Sequence, residues 1–402
     1  MGRVSGRQTG EGGFSLARGA SVALFVAVLA LWVNAAAEEA RQPRVREESL
    51  AFLRALLSAP GPSGYEQPVQ RVWRDYVRSF ADEVTTDRHG NVIAAINPGG
   101  SPRVMLAAHS DEVGFLINYI DDDGFLHFLP IGSHEVGIVP GRRVLVHTAH
   151  GPVRGVIGRK AVHLMTDQEI EHPEPAFEKY WIDIAAKNKA EADSLVAVGD
   201  PVTYEVACEE MRNGIAVSRA FDDRAGMFVI AEALRMIAAE RRALRAAVYA
   251  VSTVQEETNW HGGGARTSAF GIDPDIGIAV DACHATDSPD IDKRKVGDTK
   301  LGGGPVIFRG AHINPVVCER LREAARKTSI PHQVTAAPEE TGTDTDPIQL
   351  TRAGVASGLV GIPLRYMHTP VEMIALSDVE RSVTLLAAFC LDLTPNTDLI
   401  PK

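Results

Sequence analysis

Val248–Gly264 reads VYAVSTVQEETNWHGGG, and the fold follows from how this stretch is read. Val248–Val254 is an apolar run rich in β-branched residues, which suits a buried strand. The run stops at Gln255-Glu256-Glu257. Adjacent carboxylates at the end of a buried strand repel each other and lose hydration, so a compensating charge is expected, and a metal ion supplies one. Two solvated loop glutamates are the alternative. The same pattern recurs twice. Arg103–Ala108 is a second apolar run and ends in His109-Ser110-Asp111-Glu112, and Ile276–Val280 is a third and ends in Asp281. Ligands of open α/β sheets sit beyond the carboxyl ends of the strands. Three strands that each deliver a histidine or carboxylate to that edge therefore predict an α/β fold with one shared site.

The chain of 402 residues is long enough for two or three domains, and its 45% apolar and 23% charged residues are ordinary for a globular protein. Residues 1–37 carry Arg3, Arg7 and Arg18 against Glu11, so the net charge of −11 leaves −13 on the remainder. That balance argues against nucleic acid as a partner, because phosphate binding needs basic surface. The same N-terminal residues have the form of an export signal: a basic region, an uncharged apolar segment Gly19–Val33, and Ala35-Ala36-Ala37 before Glu38-Glu39. Use of the signal would place the mature chain in the periplasm or outside the cell. A retained membrane anchor and a start codon placed too early, which would leave the chain cytoplasmic, remain open. Cys208, Cys283, Cys318 and Cys390 show no C-x-x-C spacing, so free thiols are expected.

Along the chain, Glu47–Ser58 and Glu66–Phe80 read as helices separated by Pro60-Gly61-Pro62, and Val92–Ile96 reads as a strand. Residues 114–207 change character. Short alternating strands are expected at Phe115–Ile120, Phe125–Leu129, Arg143–Thr148, Val153–Ile157 and Pro201–Val206, which reads as an all-β insertion. The α/β pattern resumes with a helix over Arg224–Ala239. Pro305–Phe308 and Val355–Val360 read as strands, and Pro315–Lys327, Asp346–Arg352 and Ser377–Leu391 as helices.

A two-metal hydrolytic site needs outer ligands for each ion, a carboxylate bridging them, and a base beside the attacking water. The residues named so far supply that set once Asp222 and a later histidine are added. The phrases AHSDEVGF (108–115), AFDDRAG (220–226), VQEE (254–257), AVDACHATDSP (279–289), LGGGPVI (301–307) and RYMHTPVEM (365–373) resemble the M42 family of metallo-aminopeptidases. GPVRGVIGRKAVHLM (151–165) and GTDTDPIQLTRAG (342–354) fit the same family, and the matches run in order from about residue 46 to 392. The resemblance implies a mixed-sheet α/β/α zinc-exopeptidase-like catalytic domain over 38–113 and 208–402, with the small all-β domain of 114–207 inserted for dimer contacts. It implies two divalent ions per subunit, zinc first with cobalt or manganese as substitutes. His109, Asp222, Glu257, Asp281 and His368 would be the ligands, with Asp222 bridging. Glu256 would be the general base, and Asp111 would orient a ligand or the base. Peptides would be the substrates, and dimers or tetrahedral dodecamers the assembly.

Each residue also has a plainer reading. His109 could be a satisfied core histidine, and Asp281 could begin a turn. Asp222 or Asp223 could cap the helix that follows, and Asp223 could do so while Asp222 binds. His368 could only shape its loop. His134, His163, His284 and His312 read as polar loop residues, and Thr343 and Asp344 as pocket lining or plain turn. Three features depart from the family: the loop Thr258–Gly264 is about two residues longer, Cys283 is atypical, and the export signal is unusual. Another dinuclear amidohydrolase, such as a carboxypeptidase or deacylase, or a non-catalytic scaffold of the same fold, would share most of these features.

Overall fold

Helices α1 (Glu47–Ser58) and α2 (Gln67–Val77) bury Leu53, Leu56 and Leu57 and then Val69, Trp73 and Val77, the stripes that a 3.6-residue period predicts. The computed structural model describes residues 47–172, 174–258 and 263–402, together with Gly2 and Gly6. The export segment 1–37 and residues 259–262 of the altered loop lie outside the described residues. Val45–Lys402 forms one compact unit.

Strands β1 (Glu83–Thr86), β2 (Val92–Ile96) and β3 (Arg103–His109) precede the insertion. The insertion contains β4 (Gly114–Ile120), β5 (Leu126–Ile131), β6 (Arg143–Thr148), β7 (Gly151–Arg159), β8 (Tyr180–Asp183) and β9 (Pro201–Tyr204). These six strands close into a barrel in the order β4-β5-β8-β7-β6-β9 around Phe115, Phe128, Val144, Val146, Ile157 and Ile182. Two short helices also lie within it, α3 (Asp167–Glu171) and α4 (Lys189–Leu195), where the sequence suggested strands alone. Both are nearly devoid of buried apolar residues and are started by caps instead. Thr166 and Glu169 form a reciprocal capping box, and Asn188 accepts from Glu191 N.

After the barrel come β10 (Glu209–Glu210), β11 (Ile215–Ser218), α5 (Phe221–Ala239), β12 (Ala247–Thr253), α6 (Gly263–Ile272) and β13 (Ile276–His284). They are followed by α7 (Lys293–Val296), β14 (Val306–Gly310), α8 (Pro315–Lys327), β15 (Gln333–Ala337), α9 (Thr345–Gln349), β16 (Ala356–Arg365), β17 (Glu372–Ala375) and α10 (Leu376–Asp392). Among the described residues the main sheet has eleven strands, in the order β1-β2-β12-β3-β13-β16-β17-β11-β10, with β14 and β15 branching from β16. The central strands β12, β3, β13 and β16 run parallel, and the outer neighbours β2 and β17 run antiparallel to them.

The pleat of β3 sets the layers. Val104, Leu106 and Ala108 face one core, shared with α1, α2, α5, α8 and α10. Met105 and Ala107 face a second core, with Ala265, Ala269 and Ile272 of α6 and Ile348 of α9. The result is the α/β/α arrangement expected. Strand β16 runs to Arg365, five residues beyond the expected end at Val360. Pro363 falls between its ladder to β14, which reaches Gly361, and its ladder to β17, which starts at Leu364. The missing N–H therefore interrupts neither ladder on that side. No described helix is long and apolar enough to cross a membrane. The four cysteines are free, with Cys318 and Cys390 buried.

Candidate metal centre

Three parallel strands finish side by side. Thr253 of β12 lies opposite His109 of β3, and Ala279 of β13 lies opposite Ala107, which brings Asp281 level with His109. Beyond this row, β12 continues into Glu256 and Glu257. The start of α5 brings Asp222 and Asp223 to the same edge, and the loop between β16 and β17 brings His368. The structure therefore gathers every residue the sequence singled out for this site.

Distances divide the cluster in two. His109 Nε2 lies 3.1 Å from Asp222 Oδ1 and 3.7 Å from Asp281 Oδ1. His368 Nε2 lies 3.4 Å from Asp222 Oδ2 and 3.3 Å from Glu257 Oε2. Asp222 thus presents one oxygen to each histidine. The ligand atoms of His109, Asp222 and Glu257 lie within 4.8 Å of one another, as do those of His109, Asp223 and Asp281. Glu256 Oε2 stands 4.0 Å from His109 Nε2, with a side chain 18% exposed, more open than Asp222 or Glu257 at 6%.

Residues 109–112 separate by face. Asp111 is wholly buried. Its Oδ1 accepts from Glu256 N at 3.1 Å, and its Oδ2 accepts from Ser63 Oγ at 2.6 Å and from Glu257 N at 3.1 Å. His109 Nδ1 lies 3.1 Å from the Asp111 carbonyl and 3.4 Å from Oδ1. One carboxylate thus touches the His109 ring and the backbone of Glu256-Glu257. Glu112 turns away and pairs with Arg219 and, at 3.2 Å, Arg224.

Asp223 has two tasks. Its Oδ1 accepts from Gly226 N at 2.9 Å, the helix-capping bond. Its Oδ2 is buried with no hydrogen-bond partner, and the residue belongs to the His109–Asp281 group.

The electrostatics report a shortage of positive charge. Burial raises Glu256 well above the usual carboxylate range, with the neighbouring Asp281, Glu257 and Asp344 adding to the rise. Burial likewise pushes Glu257 up to about 7 and Asp281 up to about 6. Burial opposes charge on His368, yet its bonds to Asp222 and Glu257 outweigh that and push it up to about 11. For His109 too, burial disfavours charge, and Asp111, Asp222 and Asp281 overcome it. Asp222 is held below its ordinary range, since its bonds to the two histidines overcome burial. Without cations the carboxylates draw protons onto the imidazoles or onto themselves.

Divalent cations fit this set. The donors are imidazole nitrogens and carboxylate oxygens, which suit zinc, cobalt or manganese. Asp223 Oδ2 and Glu257 Oε1 are buried orphans, and such atoms call for a partner.

Three further carboxylates support this edge; Glu66 and Glu372 went unrecognised in the sequence, and Asp344 was read as pocket lining or plain turn. Glu66, expected only as the start of a helix, has its carboxylate under Gly64 N at 2.8 Å and Gln255 N at 3.2 Å. Asp344 is 5% exposed and accepts from Thr253 Oγ1 at 2.6 Å, so it faces this edge. Burial pushes it up to about 6. Glu372, four residues after His368, is 2% exposed. His134 stacks on Phe115 and donates from Nε2 to Gly114 O, and His312 pairs with Asp346; neither belongs to the two groups of ligand atoms.

Residues 90–385 match the M42 glutamyl aminopeptidase family. The chain is 34% identical over 346 residues to the lysyl aminopeptidase of Pyrococcus furiosus, covering 86% of this chain and 97% of that one. Among solved structures, the TET aminopeptidase of the marine sediment archaeon Thaumarchaeota archaeon SCGC AB-539-E09 superimposes with a TM-score of 0.82 at 32% identity, covering 87% of this chain and 97% of that one. The Pyrococcus horikoshii TET1 peptidase, which can assemble into a tetrahedron or a large octahedral shell, gives a TM-score of 0.75 at 27% identity, with 86% and 100% covered.

Proposed function

Because the chain belongs to the M42 family of aminopeptidases, we propose that it removes amino-terminal residues from peptides at a centre of two divalent ions held by His109, Asp222, Glu257, Asp281 and His368. The supporting observation is the placement of Asp222, with Oδ1 toward His109 and Oδ2 toward His368. A carboxylate so placed suits a bridge between one ion beside His109 and Asp281 and another beside His368 and Glu257. Zinc is the proposed metal, with cobalt or manganese able to replace it.

When bound, the two ions would acidify the attacking water and draw electron density from the scissile carbonyl. The chain's own residues do the rest. Glu256, the more open of the paired glutamates, accepts the water's proton on its carboxylate and passes it to the leaving amine. The rise in its proton affinity suits a group that must hold a proton between those two moments. Asp111 keeps the Glu256 backbone and the His109 ring in register. Substrate preference is left to the loop around 258–264, whose chemistry differs from the family.

The inserted domain exposes Leu129, Val156, Val162 and Leu164, and exposed apolar side chains favour association. We take the barrel of 114–207 as the dimer-forming domain, within a homo-oligomer of the kind the TET1 peptidase builds. Residues 1–37 are taken as an export signal, which N-terminal sequencing of the secreted chain would establish.

The test is metal content combined with a peptide panel. Two zinc ions per chain, with cleavage of free but not amino-blocked peptides, supports the proposal. Cleavage of blocked substrates favours a deacylase or carboxypeptidase, and absence of both metal and turnover favours a scaffold.

A further inference from the structure

Glu372 begins β17 and is buried, yet it belongs to neither group of ligand atoms. Oε1 accepts from His368 N at 2.8 Å, and Oε2 accepts from Asp222 N at 3.1 Å. The two donors come from distant parts of the chain, and their side chains meet at 3.4 Å. We infer that Glu372 is a positioning residue for the metal centre, joining the backbones of Asp222 and His368 so that their side chains share one cation. The inference rests on the reading of those two residues as ligands.

Both backbones need holding. His368 sits at φ 60, and Ala220, two residues before Asp222, at φ 58. Side-chain-bearing residues rarely adopt this left-handed region, and it persists where the surroundings impose it. Asp222 itself is extended, at φ −81 and ψ 107, before α5 becomes regular. Its N–H therefore has no partner inside the helix.

Glu372 is well placed to impose both conformations. It pairs with Ser218 across the β11–β17 ladder. Strand β11 leads directly to Asp222, and the loop holding His368 leads directly to Glu372. A short antiparallel ladder thus fixes the distance between the two ligand-bearing segments, and the carboxylate closes the gap above it. Sites whose supporting shell is anchored to strands in this way are held more accurately than sites on loops alone.

The chemistry explains why a carboxylate is used. Two N–H donors approach two different oxygens. Glutamine offers one acceptor oxygen and one NH₂ group, so either Asp222 N or His368 N would face a donor. Glu372→Gln therefore keeps the shape and breaks one of the two bonds.

The experiment titrates the chelator-stripped full chain with Zn²⁺ alone, following binding by calorimetry and fold by circular dichroism. His368→Ala serves as the reference. Wild type should take up two ions, and His368→Ala should lose one. Glu372→Gln should retain its circular dichroism and bind the weaker of its two ions roughly 10- to 100-fold less tightly, the usual cost of losing an outer partner of a ligand. Two wild-type affinities in Glu372→Gln, with an ion lost in His368→Ala, would overturn the inference and leave the functional reading standing. Full binding by His368→Ala would overturn the ligand reading itself. Should Glu372→Gln fail to fold, Glu372→Asp is read against wild type. Selective weakening of one ion supports the inference, and two unaltered sites overturn it.

Discussion

Replacing Asp111 with asparagine removes a charge and an acceptor from a group that uses both oxygens. Ser63 Oγ and Glu257 N converge on Oδ2, and Glu256 N reaches Oδ1. The better orientation of the amide puts its oxygen under the two donors at Oδ2. Its NH₂ then faces Glu256 N. One charge-assisted hydrogen bond is lost and a buried donor is left opposite another donor, at a cost of about 1.5–3 kcal/mol. The peptide that moves is the one carrying the proposed base. His109 is less affected, because its Nδ1 keeps the Asp111 carbonyl at 3.1 Å. The expected outcome is a kcat lower by about 10- to 100-fold, the range that energy corresponds to at roughly 1.4 kcal/mol per decade. KM should change little and two zinc ions should remain. Steady-state kinetics on a free-amino peptide at saturating Zn²⁺, with metal content measured on the same samples, provides the assay. A kcat within about threefold of wild type would refute the reasoning. So would retained kcat accompanied by loss of zinc, since the damage would then lie at His109.

Glu256→Gln should retain both ions and lose at least about 100-fold in kcat, the usual worth of a positioned acid–base group; wild-type turnover would remove Glu256 from the mechanism. Glu66 gives an asymmetric pair. Its Oε1 alone accepts from both Gly64 N and Gln255 N, and glutamine keeps such an oxygen. Glu66→Gln should therefore stay close to wild type in kcat, while Glu66→Ala should fall by about tenfold or more; equal losses would disprove the hydrogen-bond account. For the metal-stripped chain, thermal melts should show stability falling as pH rises. Glu257 and Asp281 have folded values raised to about 7 and about 6, so the fold binds protons that the unfolded chain has released. That contribution is full below about pH 4 and is lost as pH climbs through 6 to 7. His368, raised to about 11, adds the same sign above neutrality. Zn²⁺ should reverse the slope, because it competes with those protons. A metal-free melting temperature that rises between about pH 5 and about pH 8 would contradict this.

The ligand row was legible because strands announce themselves. Val104–Ala108 and Val248–Val254 are apolar runs whose ends are abrupt, and a parallel register carries those ends to one edge. Asp222 and His368 came from resemblance, since no periodicity marks them. The tasks of the supporting carboxylates were not legible, although Asp344 was singled out as pocket lining or plain turn. Glu66, Glu372 and Asp344 each act on a group far away in sequence: Glu66 on Gln255 N, Glu372 on Asp222 N and Asp344 on the Thr253 hydroxyl. Backbone donors are present at every residue, so nothing in the side-chain pattern identifies which ones need an acceptor. Glu372 shows the difficulty most clearly, because its task exists only after β11 and β17 have paired. In the fold, the short strands β1, β15 and β17 and the capped helices α3 and α4 were missed for a related reason. Apart from β17, they bury little apolar surface and take their place from neighbours rather than from a hydrophobic period.

The central claim is that two ions share Asp222. Crystals of the zinc-loaded chain, measured at the zinc absorption edge, test it directly. Two anomalous peaks are expected, one between His109 and Asp281 and one between His368 and Glu257, each within about 2.0–2.2 Å of a different Asp222 oxygen. A single peak, or two peaks with Asp222 outside coordinating distance of either, would contradict it.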